Sequence, residues 1–326
     1  MEEIIWISGR EVKELVDIQS VNLAVEGAFR QHGFGNVEMP SKLYIYFRKF
    51  NGDLRCMPAY LPEIDMAGVK VVNVHPANPS IGLPTVMATF VLVEPETGRP
   101  ISIMNATYMT DVRTGAAGAI ASKYLARADS KTLGLIGSGR QARTQLLAIS
   151  DVFELEKVLV ASRHISNAEK FKKIFEDSLG IDIKVCESYR EVCRADIIST
   201  TTPSRKPVIK GEWIEEGTHI NAIGADASGK QELAPELLNR AKVVVDAYEQ
   251  AVHSGEVNVP ISTGEFSEDR IYAELGEIVA GLKKGRENEV EITIFDSTGL
   301  AIQDVTVAAL VYDLAIERGY GKNLEF

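Results

Sequence analysis

The segment from Lys131 to Arg163 constrains the fold more than any other. Leu133, Leu135 and Ile136 form a short apolar run that ends at Gly137-Ser138-Gly139-Arg140-Gln141-Ala142, of the form G-x-G-x-x-A. Apolar positions at helical spacing follow at Leu146, Leu147 and Ile149, then a second apolar run, Val158 to Ala161. Strand, glycine-rich turn, helix and strand in this order predict a βαβ unit with a parallel sheet. Gly137 permits the tight turn, Gly139 lets the backbone approach a pyrophosphate, and Ala142 lets helix and strand pack closely. The helix N-terminus then faces the phosphates. The six-residue pattern alone is weak; flanked by these elements it reads as a dinucleotide fingerprint.

The end of the second strand bears on which dinucleotide. An NAD site ordinarily carries Asp or Glu about 20 residues past the glycines, bonded to the ribose 2′-hydroxyl. Here the strand runs out into Ser162-Arg163-His164, and the next carboxylate is Glu169, inside a predicted helix. Arg offers a planar fork to phosphate oxygens. The reading is therefore NAD(P), with NADP favoured over NAD; otherwise Arg163 is a solvated loop residue.

At 326 residues the chain has room for two domains. Its 45% hydrophobic and 25% charged content is that of a globular protein, and a net charge of −11 argues against nucleic acid or an anionic membrane as a partner. No stretch is long and apolar enough to span a bilayer, and the acidic start Met1-Glu2-Glu3 does not read as a signal peptide. Cys56, Cys186 and Cys193 fit no metal spacing. With no metal expected, they read as reduced thiols in a cytoplasm.

Before the fingerprint the pattern differs. Ser8 and Asp17 can cap a short and a longer helix, the second running to Gly33. From Lys42 the period becomes two, with Leu43, Ile45 and Phe47 alternating with Tyr44, Tyr46 and Arg48. Strand-like runs follow at 54–57, 69–74, 85–93 and 101–104, separated by Pro and Gly turns, an antiparallel pattern. A helix over 107–126, rich in small residues, is expected to bridge two domains. Beyond Arg163 further strands are predicted at 197–202, 219–223, 243–246 and 292–295, with a last helix over 300–318.

Four polar clusters sit at strand ends or within strands. Thr200-Thr201-Thr202-Pro203 can contact a ribose or nicotinamide, although alone it reads as ordinary strand capping. Gly224-Ala225-Asp226, followed by Gly229-Lys230, puts an acid on a Gly-rich turn, suited to proton transfer or simply to an Asp turn. Lys70 lies in the run Gly68-Val69-Lys70-Val71-Val72 and must pair or serve a site if it faces inward. Arg55 and Arg113 can each hold an anion such as a carboxylate. The five histidines form no motif, and His219 reads as a satisfied core residue.

With these residues in view, the chain resembles the ornithine cyclodeaminase/μ-crystallin family over nearly its whole length, especially the archaeal alanine dehydrogenase branch. The resemblance is carried by Leu54-Arg55-Cys56-Met57-Pro58-Ala59, by Gly68-Val69-Lys70 through Asn73 to His75-Pro76, and by Arg113-Thr114-Gly115-Ala116-Ala117. Thr218 to Asp226 and Ile294-Phe295-Asp296-Ser297-Thr298-Gly299 complete it. It implies an α/β fold: a Rossmann-type doubly wound parallel sheet over 119–302, plus a mixed α+β dimerisation and substrate domain over 1–118 and 303–326. It also implies a homodimer. By matching motif, Lys70 and Asp226 would be catalytic, and Arg55, Lys70 and Lys42 would hold the substrate. The cofactor would meet Thr85, Arg113, Gly137, Gly139, Arg140, Gln141, Ser162, Arg163, Thr202, Gly224, Ala225, Lys230 and Ser297, in a site between the domains.

True ornithine cyclodeaminases carry Glu at the position of Arg55, where it holds the distal amine of ornithine; the reversed charge here disfavours that substrate. The implied activity is oxidation of L-alanine to pyruvate and ammonia, reversibly, with Lys70 stabilising charge on oxygen and Asp226 activating water. The alternatives are reduction of a cyclic imine such as Δ1-pyrroline-2-carboxylate, ornithine cyclodeamination, or dinucleotide binding without turnover, as in the lens crystallins of the family.

Overall fold

The computed structural model describes residues 3–325. The chain divides into two compact units, residues 1–113 with 300–326, and residues 114–299.

The first unit is built on one seven-stranded sheet. Its chain runs β1 (Glu3–Ile7), α1 (Gly9–Leu15), α2 (Ile18–Gly33), β2 (Leu43–Phe47), β3 (Gly52–Leu61), β4 (Met66–Val74), β5 (Val86–Val93) and β6 (Pro100–Asn105). The capping expectations hold: Ser8 and Glu11 form a reciprocal capping box, and the Asp17 carboxylate accepts from the Ser20 amide. Strands β2 to β6 form an antiparallel meander. The sheet is not wholly antiparallel, because β1 pairs parallel to β6.

Strand β3 runs through Pro58, where sequence predicted a break. The last β2 pair is Leu43–Cys56, so at Pro58 the strand lies beyond the β2 ladder, the kind of position in which a strand tolerates proline. Side chains alternate sharply. Arg55, Met57, Ala59 and Leu61 of β3 are buried with Gly68, Lys70 and Val72 of β4 and with Ala88, Phe90 and Leu92 of β5.

The chain leaves this unit within α3 (Thr107–Leu125). The second unit follows as β7 (Thr132–Ile136), α4 (Arg140–Val152), β8 (Lys157–Ala161), α5 (Ile165–Leu179), β9 (Asp182–Val185), α6 (Tyr189–Val192), β10 (Ile197–Thr200), β11 (Arg205–Ile209), β12 (His219–Ala222), β13 (Gln231–Leu233), α7 (Pro235–Leu238), β14 (Lys242–Val245), α8 (Tyr248–Ser254), α9 (Asn258–Ser262), β15 (Ile271–Glu274), α10 (Leu275–Val279) and β16 (Thr293–Asp296). Eight of its strands form one sheet, ordered β15-β14-β16-β12-β10-β7-β8-β9. Every pair in it is parallel. This is a doubly wound sheet that starts at β7, proceeds outward through β8 and β9, then returns to the other side of β7 with β10. Small residues on α3 serve close packing here: a Cβ on Gly118 would lie 2.1 Å from Gln145 Oε1 of α4.

The first unit closes with α11 (Ala301–Arg318) and β17 (Lys322–Glu325), the latter antiparallel to β1. Helix α11 packs on α2 and across β3, β4 and β5, covering the buried sheet face. Among the described residues no helix is long and apolar enough to cross a membrane, and no group of three His, Cys, Asp or Glu could hold a metal ion.

Candidate functional site

In a doubly wound sheet ligands bind beyond the carboxyl ends of the strands, where the order reverses. That point lies between β7 and β10, and the Gly137–Ala142 turn stands there. Gly137 has φ +109°, and a Cβ on it would lie 2.5 Å from Thr201 Oγ1, so only glycine fits. Gly139 caps α4 with no side-chain bond to the first-turn amides, and a Cβ there would meet nothing within 4 Å. The uncapped helix start therefore opens onto space, the arrangement that receives a phosphate.

That space is a cavity of about 440 Å³ lined by Gly137, Ser138, Gly139, Ser162, Arg163, Thr201 and Thr202, with Arg143, His164, Asn167, Lys170, Tyr189 and Pro203. It gathers the fingerprint glycines, the β8 end and the β10 end, as the motif requires. Arg143, Arg163 and Lys170 make it locally cationic in a chain of net charge −11, and no carboxylate is among the described residues lining it. The residues present fit a dinucleotide phosphate. Sequence reading missed Arg143 and Lys170; the signal was there, since Arg143 falls one helical turn after Arg140 and Lys170 follows Glu169 on the next helix. Arg140 itself is exposed and Gln141 half-buried in the first turn of α4, and neither lines the cavity.

The loops after β10, β12 and β16 carry the other predicted cofactor residues of this unit. Strand β10 stops at Thr200, two residues short of the predicted end, because the Thr202 amide turns to the buried Glu232 carboxylate, 2.7 Å away, instead of to a neighbouring strand. The Gly224 amide donates to the same carboxylate at 2.8 Å. Next to it Ala225 is buried, and the half-buried Asp226 side chain pairs with Lys230 Nζ. The Ser297 amide donates to the Ala222 carbonyl at 3.0 Å, while its buried hydroxyl has no hydrogen-bond partner among the described residues. His219 is a core residue, as read: Nδ1 lies 2.9 Å from Thr293 Oγ1 and Nε2 3.1 Å from Asn221 Oδ1. Burial pushes its pKa down to about 3, so the ring is neutral.

In the first unit the charged residues converge on the buried sheet face. Lys70 is 1% exposed, opposite Met57 on β3 and Phe90 on β5. Its Nζ lies 2.7 Å from Asp304 Oδ2, on the first turn of α11. Arg113 Nε reaches the other oxygen of Asp304 at 3.1 Å, and its Nη1 donates to Gln303 Oε1 at 2.8 Å. One carboxylate thus serves two cations and leaves a buried excess of positive charge. Burial, first of all, and then the charges of Arg113 and Lys42 push the Lys70 ammonium down to about 7, against the opposing pull of Asp304.

Arg55 shares the sheet face with Lys70. Its guanidinium donates to both oxygens of Asp53, at 2.8 and 3.3 Å, and lies over the Tyr44 ring, 5.2 Å from the centroid. Lys42, half-buried just before β2, is close enough to act on the charge of Lys70. Thr85 stands apart from the cluster, half-buried before β5, its carbonyl accepting from the His75 amide. Asp304 was not anticipated. The signal was an acid in the otherwise apolar start of the last helix, Ala301-Ile302-Gln303-Asp304-Val305.

Comparison with known proteins covers the whole chain. The model of the ornithine cyclodeaminase/mu-crystallin family matches residues 3–319. An alanine dehydrogenase of Archaeoglobus fulgidus is 52% identical over 324 residues, 99% of each chain. Among solved structures, an archaeal alanine dehydrogenase dimer with bound NAD superposes with a TM-score of 0.96, at 51% identity and complete coverage of both chains. The Thermococcus litoralis Δ1-pyrroline-2-carboxylate reductase, in complex with NADH and L-proline, also gives 0.96, at 44% identity over 98% of this chain and 100% of that one. The chain belongs to the ornithine cyclodeaminase/mu-crystallin family.

Proposed function

We propose that the protein is a nicotinamide-dependent oxidoreductase acting on an amino acid, with L-alanine, converted reversibly to pyruvate and ammonia, as its substrate. The observation that carries this reading is the buried Lys70–Asp304–Arg113 group, whose excess positive charge suits the carboxylate of a short 2-amino or 2-oxo acid. The likeness to alanine dehydrogenases supports the choice of alanine. The first unit is the substrate part, and the second binds the dinucleotide.

The cofactor is held by the Gly137–Ala142 turn and by Ser162, Arg163 and Thr202, with Arg143 and Lys170 beside them. NADP(H) is preferred, because those cations suit a 2′-phosphate and the described residues lining the cavity include no acid to receive a 2′-hydroxyl. When bound, the nicotinamide supplies the acceptor for the Cα hydride of the amino acid. Lys70, as ammonium, neutralises the substrate carboxylate and stabilises negative charge on oxygen. Asp226 takes a proton from the water that adds to the iminium carbon, gives it to the departing nitrogen, and accepts the remaining hydroxyl proton as the carbonyl forms and ammonia leaves. Lys230 pairs with the Asp226 carboxylate and orients it until then.

The second reading is reduction of a cyclic imino acid, supported by the likeness to the pyrroline-2-carboxylate reductase. It uses the same carboxylate site but needs no attack by water. Counting products separates the two. With L-alanine, one ammonia should appear for each cofactor reduced, and Asp226→Asn should slow its release by about 10²–10⁴-fold, the usual share of acid–base catalysis. Cofactor reduction by L-proline, with none by L-alanine, would favour the second reading.

A further inference from the structure

Two of the loops assigned above to the cofactor and to proton transfer end on one side chain. Glu232, in the middle of β13, is fully buried. Its Oε1 accepts from the Thr202 amide at 2.7 Å, and its Oε2 accepts from Thr200 Oγ1 at 2.7 Å and from the Gly224 amide at 2.8 Å. Among the described residues no lysine or arginine pairs with it. A buried carboxylate with no countercharge is costly, and here it is satisfied wholly by donors from the carboxyl ends of β10 and β12.

The strand that carries it is itself pinned. The buried Glu256 carboxylate accepts from the amides of Glu232, at 2.9 Å, and Leu233, at 2.6 Å. The neighbouring Asp296, at the end of β16, accepts from the Val257 amide at 3.1 Å. Glu232 is therefore a fixed post, not a mobile side chain that happens to meet a loop.

We propose that Glu232 is a positioning residue for the reaction: its carboxylate fixes the Thr202 loop, which meets the cofactor, against the Gly224-Ala225-Asp226 loop, which carries the acid–base group. Both carboxylate oxygens accept from backbone amides, so an amide cannot replace it. In either orientation a glutamine would turn its NH2 group towards a backbone N–H, that of Thr202 or that of Gly224. One loop would be released while side-chain volume stayed the same. This inference rests on the proposed function for the roles of both Asp226 and Thr202; only the hydrogen bonds of Glu232 stand apart from it.

The experiment compares wild type with Glu232→Gln. Cofactor Kd is measured by fluorescence with NADPH and NADH, and kcat and the deuterium isotope effect with L-alanine carrying hydrogen or deuterium at Cα. Activities are normalised to cofactor-binding sites. Positioning predicts a cofactor Kd raised by about tenfold, kcat lower by about 10- to 10²-fold, and a larger isotope effect on kcat, because misplaced reactants make the hydride step limiting. Loss of folded sites alone would leave the Kd, the normalised kcat and the isotope effect at wild-type values, and that result would overturn the proposal. If the glutamine variant does not fold, Thr200→Val removes one of the three bonds. It should shift the Kd and the isotope effect in the same directions, and wild-type values in it would also overturn the proposal. If wild type binds the dinucleotide but oxidises no amino acid, the proposed function has failed; the cofactor Kd of the two variants still decides whether Glu232 fixes the Thr202 loop.

Discussion

Lys70 is where a single residue decides most. Its place in the run Gly68-Val69-Lys70-Val71-Val72 made it legible as a residue that must pair or serve a site if it faced inward, with an outward, solvated side chain as the alternative. Its partner was not legible: Asp304 lies 234 positions away in sequence, and only the fold brings α11 onto β3, β4 and β5. Two predictions belong at this scale. The first concerns pH. Below about 7 Lys70 is charged and above it neutral, so kcat/KM for a carboxylate substrate should fall as pH rises through about 7. Lys70→Met should flatten that limb and lower kcat by about 10²-fold, as loss of an electrostatic stabiliser does; pH profiles of the two proteins check both points. The same shift has a stability sign. Between about 7 and 10.5 the unfolded chain holds a proton on Lys70 that the folded chain lacks, so this group's share of stability rises with pH across that window. The second concerns Asp304→Asn. It leaves two buried cations facing one another and should cost about 3–5 kcal/mol in urea unfolding, the usual result of stripping one partner from a buried ion group.

At the scale of elements, legibility followed the strength of the periodic signal. The βαβ unit around the fingerprint was read residue by residue, since turn glycines and switching periods leave little freedom there. Edge and short strands were not. Lys322–Glu325 has no apolar alternation, Glu3–Ile7 is a continuous apolar run after its first residue with no period of two, and Asp182–Val185, Gln231–Leu233 and Ile271–Glu274 have only three or four residues each; backbone pairing holds them in place. The end of β8 gives a prediction of its own. Ser162→Asp would set a carboxylate among Arg143, Arg163 and Lys170, where it repels a 2′-phosphate and accepts from a 2′-hydroxyl. The ratio of kcat/KM for NADPH over NADH should then fall by about tenfold or more, the equivalent of roughly 1.4 kcal/mol. A wild type that already prefers NADH by that margin would show that the cations serve the pyrophosphate alone.

For the whole molecule the account predicts assembly and activity together. The first unit presents Leu43, Ile45 and Tyr46 on its edge strand β2, with Phe50 just beyond it and Ile81 and Leu83 before β5, all exposed. An apolar sheet edge of this kind is normally covered, and the account expects a second copy of the chain to supply the cover. Sedimentation at micromolar concentration should give a dimer, and Ile45→Lys should shift it towards monomer; a wild type that sediments as a monomer would argue against that cover. The central claim, that a carboxylate site of buried cations serves an amino-acid dehydrogenase, is tested most directly by initial rates in the reductive direction. Pyruvate with ammonia is compared with Δ1-pyrroline-2-carboxylate at saturating NADPH and NADH. The account predicts cofactor oxidation with pyruvate that depends on ammonia and a higher kcat/KM than for the cyclic imine. Turnover of neither substrate with either cofactor would contradict it.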